Sequence, residues 1–419
     1  MPIEAVSQTN ESHVYILSGN DDLRVGAGVV LTSTTTDAVL TWSGAHVFDV
    51  AGTINGYDDG INTMGCDPAQ TVRIQASGRI NSGGDGVIPE ADGVILDGLN
   101  STLTNAGIIT SYGSAVSLFV RDNGTTTVTN SGTMTGHQFG IWNKFGSGTL
   151  AFTNTGSVES PGKSYQGGNY VDLVTNKGIL RGIVDLGGGN DLYDGRGGSV
   201  VGTILGGDGD DRFVTGNSAE TIDGGAGVDL LDFSTRANAI TVDLTTPANN
   251  RGTGVLGDRY SNIENLAGGT YADRLTGDAG ANALFGNGGA DTLRGNAGDD
   301  VLEGGLSKDT LTGGTGADCF VFNATTGNGD LILDFTSGVD HIVLKALAFG
   351  YGATTGALSA ADLVIATSAV ARDASDHFIF RTTDRTLWFD ADGSGGRSAV
   401  LLADLQTGAS FTAADLLFV

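Results

Sequence analysis

Residues 268–321 divide without a gap into six nonapeptides, which read GGTYADRLT, GDAGANALF, GNGGADTLR, GNAGDDVLE, GGLSKDTLT and GGTGADCFV. The same frame occurs upstream in GGDGDDRFV at 206–214, TGNSAETID at 215–223 and GGAGVDLLD at 224–232, and LGGGNDLYD at 186–194 is an earlier copy. The shared pattern is G-G-x-G-x-D-x-U-x, in which U is large and apolar. Because sequence repeats at a fixed period stack on one another, this pattern predicts a repetitive β fold.

Each position of the nonapeptide has a physical task. Glycines at the first, second and fourth positions permit a tight turn with positive φ and let two backbones approach closely. Two nonapeptides make one coil, so residues 18 positions apart in the sequence stack at about 4.8 Å, the spacing between neighbouring strands. The U residue begins a short strand that faces the interior, as at Phe213, Leu231, Leu293, Leu302, Leu311 and Phe320.

The same period stacks acidic residues. It places Asp211 over Asp229, Asp273 over Asp291, Asn282 over Asp300, Asp291 over Asp309, and Asp300 over Asp318. Stacked carboxylates repel unless a hard cation lies between them, and calcium accepts a mixture of Asp side chains and backbone carbonyls. A flexible Gly/Asp-rich linker is the alternative, but a linker would not place an apolar residue at every ninth position. We therefore predict Ca²⁺ sites at Asp191, Gly206, Gly207, Gly209, Asp211, Gly224, Gly225, Gly227, Asp229, Asp273, Asn282, Gly286, Gly288, Asp291, Gly295, Ala297, Asp300, Gly304, Asp309, Gly313 and Asp318.

These repeats resemble the RTX (repeats-in-toxin) calcium-binding β-roll. The stretch 227–269 looks like the insert that links β-roll segments, and FVFNATTGNGDLILDFTSGVDHIVL at 320–344 is similar to the C-terminal region of serralysin-type proteins. Some positions depart from the pattern: Asn282 and Glu220 replace the repeat Asp, and Tyr271 and Ser307 replace the fourth-position glycine. Calcium sites built on those positions are expected to be weaker or absent.

The resemblance implies secretion by type I (ABC) machinery through an uncleaved C-terminal signal, and ADLLFV at 414–419 is similar to such signals. MPIEAVSQTNESHVYILSG, at the N-terminus, lacks the basic and apolar regions of a Sec signal, and no run of 18 apolar residues predicts a transmembrane segment. The net charge of -27 points away from nucleic acid. Low cytosolic calcium would leave the Asp ladder repelling itself, and calcium outside the cell would fold it. We therefore expect a secreted protein, extracellular or associated with the cell surface.

A longer repeat fills the segment before the nonapeptides. LTNAGIITS at 103–111, VTNSGTMTG at 128–136, FTNTGSVES at 152–160 and VTNKGILRG at 174–182 share the motif T-N-x-G. A unit this short cannot bury its own apolar face, so successive units must stack as a right-handed parallel β-helix. We expect Asn105, Asn130, Asn154 and Asn176 to form a ladder in which each amide bonds the next. This segment is similar to the passenger β-helices of autotransporter-type bacterial proteins.

Together these patterns predict an all-β chain in three parts. A parallel β-helix over 1–185 continues into a calcium β-roll over 186–321, which has an insert at 233–267, and a C-terminal β cap carries the secretion signal over 322–419. Another acidic stretch, FDADGSGG at 389–396, begins with the spacing of an EF-hand loop, but its twelfth position is Leu401 instead of Glu. We interpret it as an acidic turn.

Two functions from different classes remain open. The first is a structural or adhesive protein, whose β-helix contacts polysaccharide or a cell surface, or which assembles with itself. The second is a polysaccharide-modifying enzyme of the uronate epimerase or lyase type, similar in layout to alginate C5-epimerases, which join a catalytic β-helix to RTX modules. Its candidate residues are Asp85, Glu90, Asp92, Arg121, Asp122, His137, Trp142 and Lys144.

Neither of two catalytic patterns can be found in the sequence. The histidines His13, His46, His137, His341 and His377 are scattered singly, so the H-E-x-x-H motif of a zinc protease is missing. The candidate residues of the epimerase or lyase alternative form no recognisable active-site motif. We therefore predict no catalytic residue and prefer the structural or adhesive function. Cys66 and Cys319 are too widely separated to indicate a disulfide framework.

Overall fold

The computed structural model describes residues 3–5, 8–10, 15–18, 20–65, 68–83, 90–121, 124–323, 329–351 and 355–419. His13, Cys66, Asp85 and Asp122 lie outside these ranges. The chain forms two compact units, Met1–Asp229 with Asp258–Asn262, and Leu230–Gly257 with Ile263–Val419. These units are defined by contacts in space. The boundaries at 185/186 and 321/322 come from sequence motifs and stay predictions. Nowhere in the described ranges is there a helix long and apolar enough to cross a membrane.

The first unit is a stack of parallel coils, which confirms the all-β solenoid. One of its strand rows runs in parallel register through Ile3–Glu4, Leu23–Val25, Val47–Val50, Thr71–Ile74, Thr102–Asn105, Thr125–Asn130, Thr149–Asn154, Asp172–Asn176, Leu192–Asp194 and Arg212–Val214. A second row contains Gln8–Asn10, Val30–Ser33, Thr53–Asn55, Arg79–Asn81, Ile108–Ser111, Thr133–Gly136, Ser157–Gln166, Ile179–Gly188 and Ser199–Val201. The third contains Tyr15–Leu17, Val39–Thr41, Ile61–Asn62, Val94–Asp97, Ser114–Phe119, Phe139–Asn143, the two long strands of the second row, Ile204–Asp208, Thr221–Ala226 and Arg259–Ser261.

An apolar column fills the interior of this unit. Its strands alternate buried and exposed side chains, as the period of two in a strand requires. The buried members lie in register from coil to coil and are each at most 1% exposed: Leu23, Phe48, Val72, Leu103, Val128, Phe152, Val174, Tyr193 and Phe213. Both repeat types therefore contribute to one continuous core.

The coils shorten where the T-N-x-G repeats give way to glycine-rich repeats. Val128 pairs with Phe152, 24 residues on, whereas Ile204 pairs with Ile222, 18 residues on. The second strand row ends at Ser199–Val201, because an 18-residue coil has room for only two strands and their turns. Direct pairing of Ile179–Gly188 with Ile204–Asp208 joins the two kinds of coil without a linker.

Asparagine amides line one turn of the first unit, as the T-N-x-G motif predicts. The Asn105 amide donates to Asn130 Oδ1 at 2.8 Å, and Asn130 donates to Asn154 at 2.9 Å. The next rung joins Asn154 to Asn176 at 2.9 Å. All four residues are completely buried. Each Asn is both donor and acceptor, so the ladder satisfies itself.

The second unit contains two rows of mainly parallel strands, in which Thr386–Phe389 is antiparallel to both of its neighbours. One row contains Leu230–Asp232, Asn265–Ala267, Ala283–Phe285, Val301–Glu303, Cys319–Phe322, His341–Leu344 and Leu416–Phe418, with Gly356–Ala357 antiparallel at its end. The other contains Thr241–Asp243, Arg274–Thr276, Thr292–Ala297, Thr310–Thr315, Asp330–Ile332, Val400–Leu405, Thr386–Phe389, Phe378–Arg381 and Leu363–Ala366. Two short 3-10 helices, Pro247–Asn249 and Ala413–Asp415, complete it.

An aromatic cluster covers the C-terminal end of these rows. Tyr351 packs on Phe418 with ring centroids 4.4 Å apart, and Phe389 contacts both Phe349 and Phe378 at 5.0 and 5.1 Å. A parallel stack must otherwise expose unpaired backbone groups at its last coil. The antiparallel strands and this cluster therefore close the solenoid.

Replacement of Asn130 by Ala tests the amide ladder. The substitution removes one of the two acceptors of the Asn105 amide and the donor to Asn154, so we expect a loss of about 2–3 kcal/mol in the free energy of unfolding. Thr127→Ala, at an exposed position of the same strand, is the matched control and should change stability by less than about 0.5 kcal/mol. Equal effects of the two variants in chemical denaturation would contradict the ladder.

Candidate metal centre

A ladder of hydrogen bonds connects the repeat aspartates. The backbone N–H of each donates to Oδ1 of the residue one coil later, as from Asp211 to Asp229 at 2.8 Å. The other pairs that the 18-residue period predicts follow the same rule: Asp273 to Asp291 at 2.6 Å, Asn282 to Asp300 at 2.8 Å, Asp291 to Asp309 at 2.7 Å and Asp300 to Asp318 at 3.0 Å. The ladder fixes the orientation of every carboxylate.

The second carboxylate oxygen of several ladder residues has no partner. Oδ2 is buried and accepts no hydrogen bond at Asp191, Asp211, Asp291, Asp300 and Asp309, and these side chains are at most 2% exposed. Burying an anionic oxygen without a donor costs several kcal/mol or more. A carboxylate oxygen in this position is suited to a hard cation such as calcium.

First-position glycines bring backbone carbonyls to these oxygens. A Cβ at Gly206 would collide with Asp211 Oδ2 and with the carbonyl oxygen of Gly224. The same collision with the Asp of their own repeat holds at Gly224, Gly286, Gly295, Gly304 and Gly313. Carboxylate and carbonyl oxygens therefore converge where the side chain is missing, which is the donor set that calcium prefers. The residues present fit the ion.

Positive φ is confined to the second and fourth positions. Gly207 and Gly209 have φ of 110° and 129°, and Gly225 and Gly227 repeat this at 110° and 141°. The expectation of positive φ at the first position is wrong, because that glycine is required by the close approach of oxygens and not by its backbone conformation. Asn287, Asn296 and Ser307 adopt positive φ without being glycine.

The departures from the pattern have visible consequences. Asn282 accepts the N–H of Asp278 at 2.8 Å and donates to the carbonyl of Glu264 at 2.9 Å, so its amide is satisfied within the protein. Gly288 and Ala297 occupy the third position of their repeats. The residues before them, Asn287 and Asn296, donate to the carbonyls of Gly268 and Gly277, the first residues of repeats in the previous coil. A weaker calcium site at Asn282 stays a prediction.

Sequence reasoning missed several members of the ladder. Asp309 and Asp318 donate to Oδ1 of Asp330 and Asp340, both at 3.0 Å, and these partners lie 21 and 22 residues on. The nonapeptide frame could not find them, because it ends at Val321. Upstream, Asp172 donates to Asp191 Oδ1 at 2.7 Å, although it lies among the T-N-x-G repeats. The sequence signal that could have identified Asp172 is the Gly167–Gly168 pair, which begins five residues before it.

Burial perturbs the acidity of the ladder. Desolvation raises the pKa of Asp191 to about 8, and it raises those of Asp291 and Asp300 to about 7. For Asp211 and Asp309 the same cause raises the pKa to about 6. Neighbouring aspartates add to the effect at Asp191 and Asp291, while the ladder N–H groups oppose it. Without a cation, the folded state therefore binds protons at these groups more tightly than the unfolded state does.

The EF-hand-like stretch is a turn between two strands. It connects Thr386–Phe389 to Val400–Leu405 and has no flanking helix. Asp390 is buried and its Oδ1 accepts the N–H of Asp392 at 3.3 Å. The interpretation as an acidic turn agrees with this geometry.

The candidates of the enzyme alternative that the structure describes make mostly separate contacts. Arg121 makes a two-pronged ion pair with Asp97, both contacts at 2.6 Å. His137 stacks on Tyr112 at 4.7 Å, and Lys144 lies over the Trp142 ring at 4.6 Å. Glu90 is exposed, whereas Asp92 is buried and accepts the N–H of Ser114 at 2.8 Å. Asp85 and Asp122 are outside the described residues.

The raised pKa values predict an inverted pH dependence for the calcium-free protein. A folded-state pKa above the unfolded value stabilises the fold at low pH, and that contribution is lost as pH rises through about 6–8. We expect the calcium-free melting temperature to fall between pH 5 and pH 8. Calcium needs the deprotonated groups, so the stabilisation by calcium should grow over the same interval.

Thermal unfolding with chelator and with millimolar calcium measures both trends. Moderate salt suppresses the general repulsion of surface charge. Asp291→Asn with Asp300→Asn is the control that should flatten the slope of the calcium-free protein. A calcium-free melting temperature that rises from pH 5 to pH 8 would contradict this account.

Comparison with known proteins identifies the repeats. A family model described as the RTX calcium-binding nonapeptide repeat (4 copies) matches residues 202–231, 260–293 and 285–318. A similar solved structure is the solution structure of the AlgE6R3 subunit from the Azotobacter vinelandii mannuronan C5-epimerase, at 29% identity over 35% of this chain and 78% of that chain, with a TM-score of 0.25. No curated protein sequence matches the chain. The chain therefore carries RTX nonapeptide repeats, which are calcium-binding motifs.

Proposed function

We propose that this chain is a secreted calcium-binding protein with a structural or adhesive role at the bacterial surface or in the matrix. We also propose that it leaves the cell through type I (ABC) machinery and folds when it meets calcium. The observation that carries the proposal is the row of buried carboxylates whose second oxygen has no partner inside the fold. A cation bound at each turn would offset the free energy cost of burying these oxygens, which recurs in successive coils.

The charge of the chain supports folding after export. It carries 48 acidic residues against 21 basic ones, and the repeat aspartates are stacked and buried. In a cytosol with little calcium, this stack opposes compaction of the glycine-rich coils, which stay extended. Outside, millimolar calcium reaches the range in which extracellular calcium modules load. Calcium then acts as the folding switch.

A groove in the first unit supports the adhesive role. It has a volume of about 360 Å³ and is lined by Trp142, Asn143, Lys144, Phe145, Gln166 and Gly167–Asn169. Phe145 is 74% exposed and contacts Phe119 at 5.8 Å, while Trp142 stacks on Phe139 at 4.6 Å. Aromatic faces beside amides and a lysine suit the apolar faces and hydroxyl or carboxylate groups of an acidic polysaccharide.

One observation favours the enzyme as the second candidate. Burial raises the pKa of Asp92, whereas hydrogen bonds from Ser117 and Ser114 and the charge of Lys144 lower it. A buried acid with a raised pKa, within the field of a lysine, is a common element of acid–base sites. The epimerase or lyase alternative would place its proton transfer here.

Calcium titration of the full chain tests the folding switch. At pH 8, chelated protein should lose the part of its far-UV circular dichroism β signal that comes from the glycine-rich coils, and millimolar calcium should restore that signal and raise the melting temperature. Asp291→Asn should shift the titration midpoint to higher calcium, because it removes one unpaired oxygen. Asp185→Asn, outside the ladder, is the matched control. A spectrum indifferent to calcium would overturn the proposal.

Incubation with uronate polysaccharides separates the two candidate functions. Retained protein and an unchanged NMR spectrum of the polymer would support adhesion, and Trp142→Ala should then weaken binding roughly tenfold. Trp42→Ala, at an exposed tryptophan of the same unit, is the control. Altered uronate signals or unsaturated ends that vanish in Asp92→Asn would favour the enzyme. Neither binding nor a change in the polymer would leave self-assembly as the role.

A further inference from the structure

A nonapeptide is hidden in the last T-N-x-G coil of the first unit. Residues 167–175 read GGNYVDLVT, and residues 268–276, within the RTX match, read GGTYADRLT. Five of the nine positions are identical, including both glycines, the Tyr and the Asp. The family match begins only at residue 202, and the T-N-x-G motif that starts at Val174 overlaps the hidden repeat.

The two turns form the same hydrogen bonds. Asp172 donates its N–H to Asp191 Oδ1 at 2.7 Å, as Asp273 does to Asp291 Oδ1 at 2.6 Å. Gly168 donates to Asp172 Oδ2 at 3.3 Å, and the corresponding bond of the second turn joins Gly269 to Asp273 at 2.6 Å. The contact with the next coil also matches. Gly188 donates its N–H to the Gly168 carbonyl at 2.8 Å, and Gly288 donates to the Gly269 carbonyl at 3.2 Å.

The side chains of the two turns agree as well. Tyr170 and Tyr271 project from the fourth position and are 51% and 48% exposed. Behind them pack the fourth-position glycines of the following coils, Gly189 and Gly289, with φ of 116° and 113°. A bulky residue at the fourth position is therefore compatible with the turn conformation of the repeat.

Oxygen atoms converge at Gly167 as they do at Gly206. A Cβ at Gly167 would collide with Asp172 Oδ2 and with the carbonyl oxygen of Leu186, the first-position residue of the next coil. Asp172 is completely buried. A further buried oxygen, Asp191 Oδ2, has no hydrogen-bond partner. This unsatisfied oxygen is what distinguishes the turn from an ordinary acidic turn.

We propose that the turn at 167–172, together with Asp191, is a further calcium site that lies one coil before the recognised repeats. Asp172 and Asp191 supply carboxylates, and Leu186 supplies a carbonyl. The ion would tie the last T-N-x-G coil to the first glycine-rich coil within the first unit. It would also order Gly167–Asn169, which form part of the Trp142 groove. This inference rests on the proposed function only in that the repeats load calcium.

A purely structural role of Asp172 is the competing explanation. Tyr165 is buried beside it, and the carboxylate raises the pKa of the tyrosine, after the larger effect of burial. If Asp172 served only to face this hydroxyl, Tyr165→Phe would reproduce the effect of removing the carboxylate. The two roles therefore differ in calcium stoichiometry and not only in stability.

Calcium counting on the full chain tests the site. Equilibrium dialysis, with calorimetry as a second method, would compare the natural protein with Asp172→Asn, Tyr165→Phe, Asp185→Asn and Asp291→Asn. An amide is tolerated at this repeat position, as Asn282 shows, so Asp172→Asn should fold. We expect one calcium ion fewer per chain for Asp172→Asn and for Asp291→Asn, and an unchanged number for Tyr165→Phe and Asp185→Asn.

Terbium in crystals of the unaltered protein provides a test that needs no variant. We expect anomalous density at Asp172 and Asp191 as well as at Asp273 and Asp291. Density at the second turn alone, or an unchanged calcium number in Asp172→Asn beside a loss in Asp291→Asn, would overturn the inference and leave the proposed function intact. A natural protein that binds no calcium at all would overturn the proposed function itself.

Discussion

The hydrogen bond from one repeat Asp N–H to the next Asp Oδ1 is the interaction on which the glycine-rich coils depend. It satisfies a buried backbone donor at the start of each strand, as between Asp211 and Asp229 at 2.8 Å. The same bond uses one carboxylate oxygen and turns the other toward the first-position glycine. This one hydrogen bond therefore explains why each turn needs both a cation and a first-position glycine.

The two repeat types solve the same problem with different chemistry. A buried turn that recurs at every coil needs a polar side chain to satisfy the backbone. Asparagine carries both a donor and an acceptor, so Asn105, Asn130, Asn154 and Asn176 complete one another. An ionised aspartate is only an acceptor, so a stack of aspartates cannot close on itself. The T-N-x-G coils can therefore form without an ion, whereas the glycine-rich coils are stabilised by one.

The first unit combines asparagine turns and aspartate turns around one apolar core. Phe152, Val174 and Tyr193 lie in register across the change of repeat, while the coil shortens from 22 to 19 residues between them. Asp172 lies at this change, on the strand that also carries Asn176 of the amide ladder. The groove at Trp142 and Lys144 includes Gly167–Asn169, so the surface proposed for polysaccharide adjoins the turn at Asp172.

The period, the interior residues and the stacking of carboxylates can all be predicted from regular spacing in the sequence. Leu302 over Phe320 and Asp291 over Asp309 follow from an 18-residue coil without knowledge of the rest. Where the ladder begins and ends depends on the folded backbone. Asp330 and Asp340 join it after coils of irregular length, and Asp172 joins it from inside another motif. Spacing fails at such places, because a loop of any length can return a side chain to the same position in space, and only the folded backbone shows that it has done so.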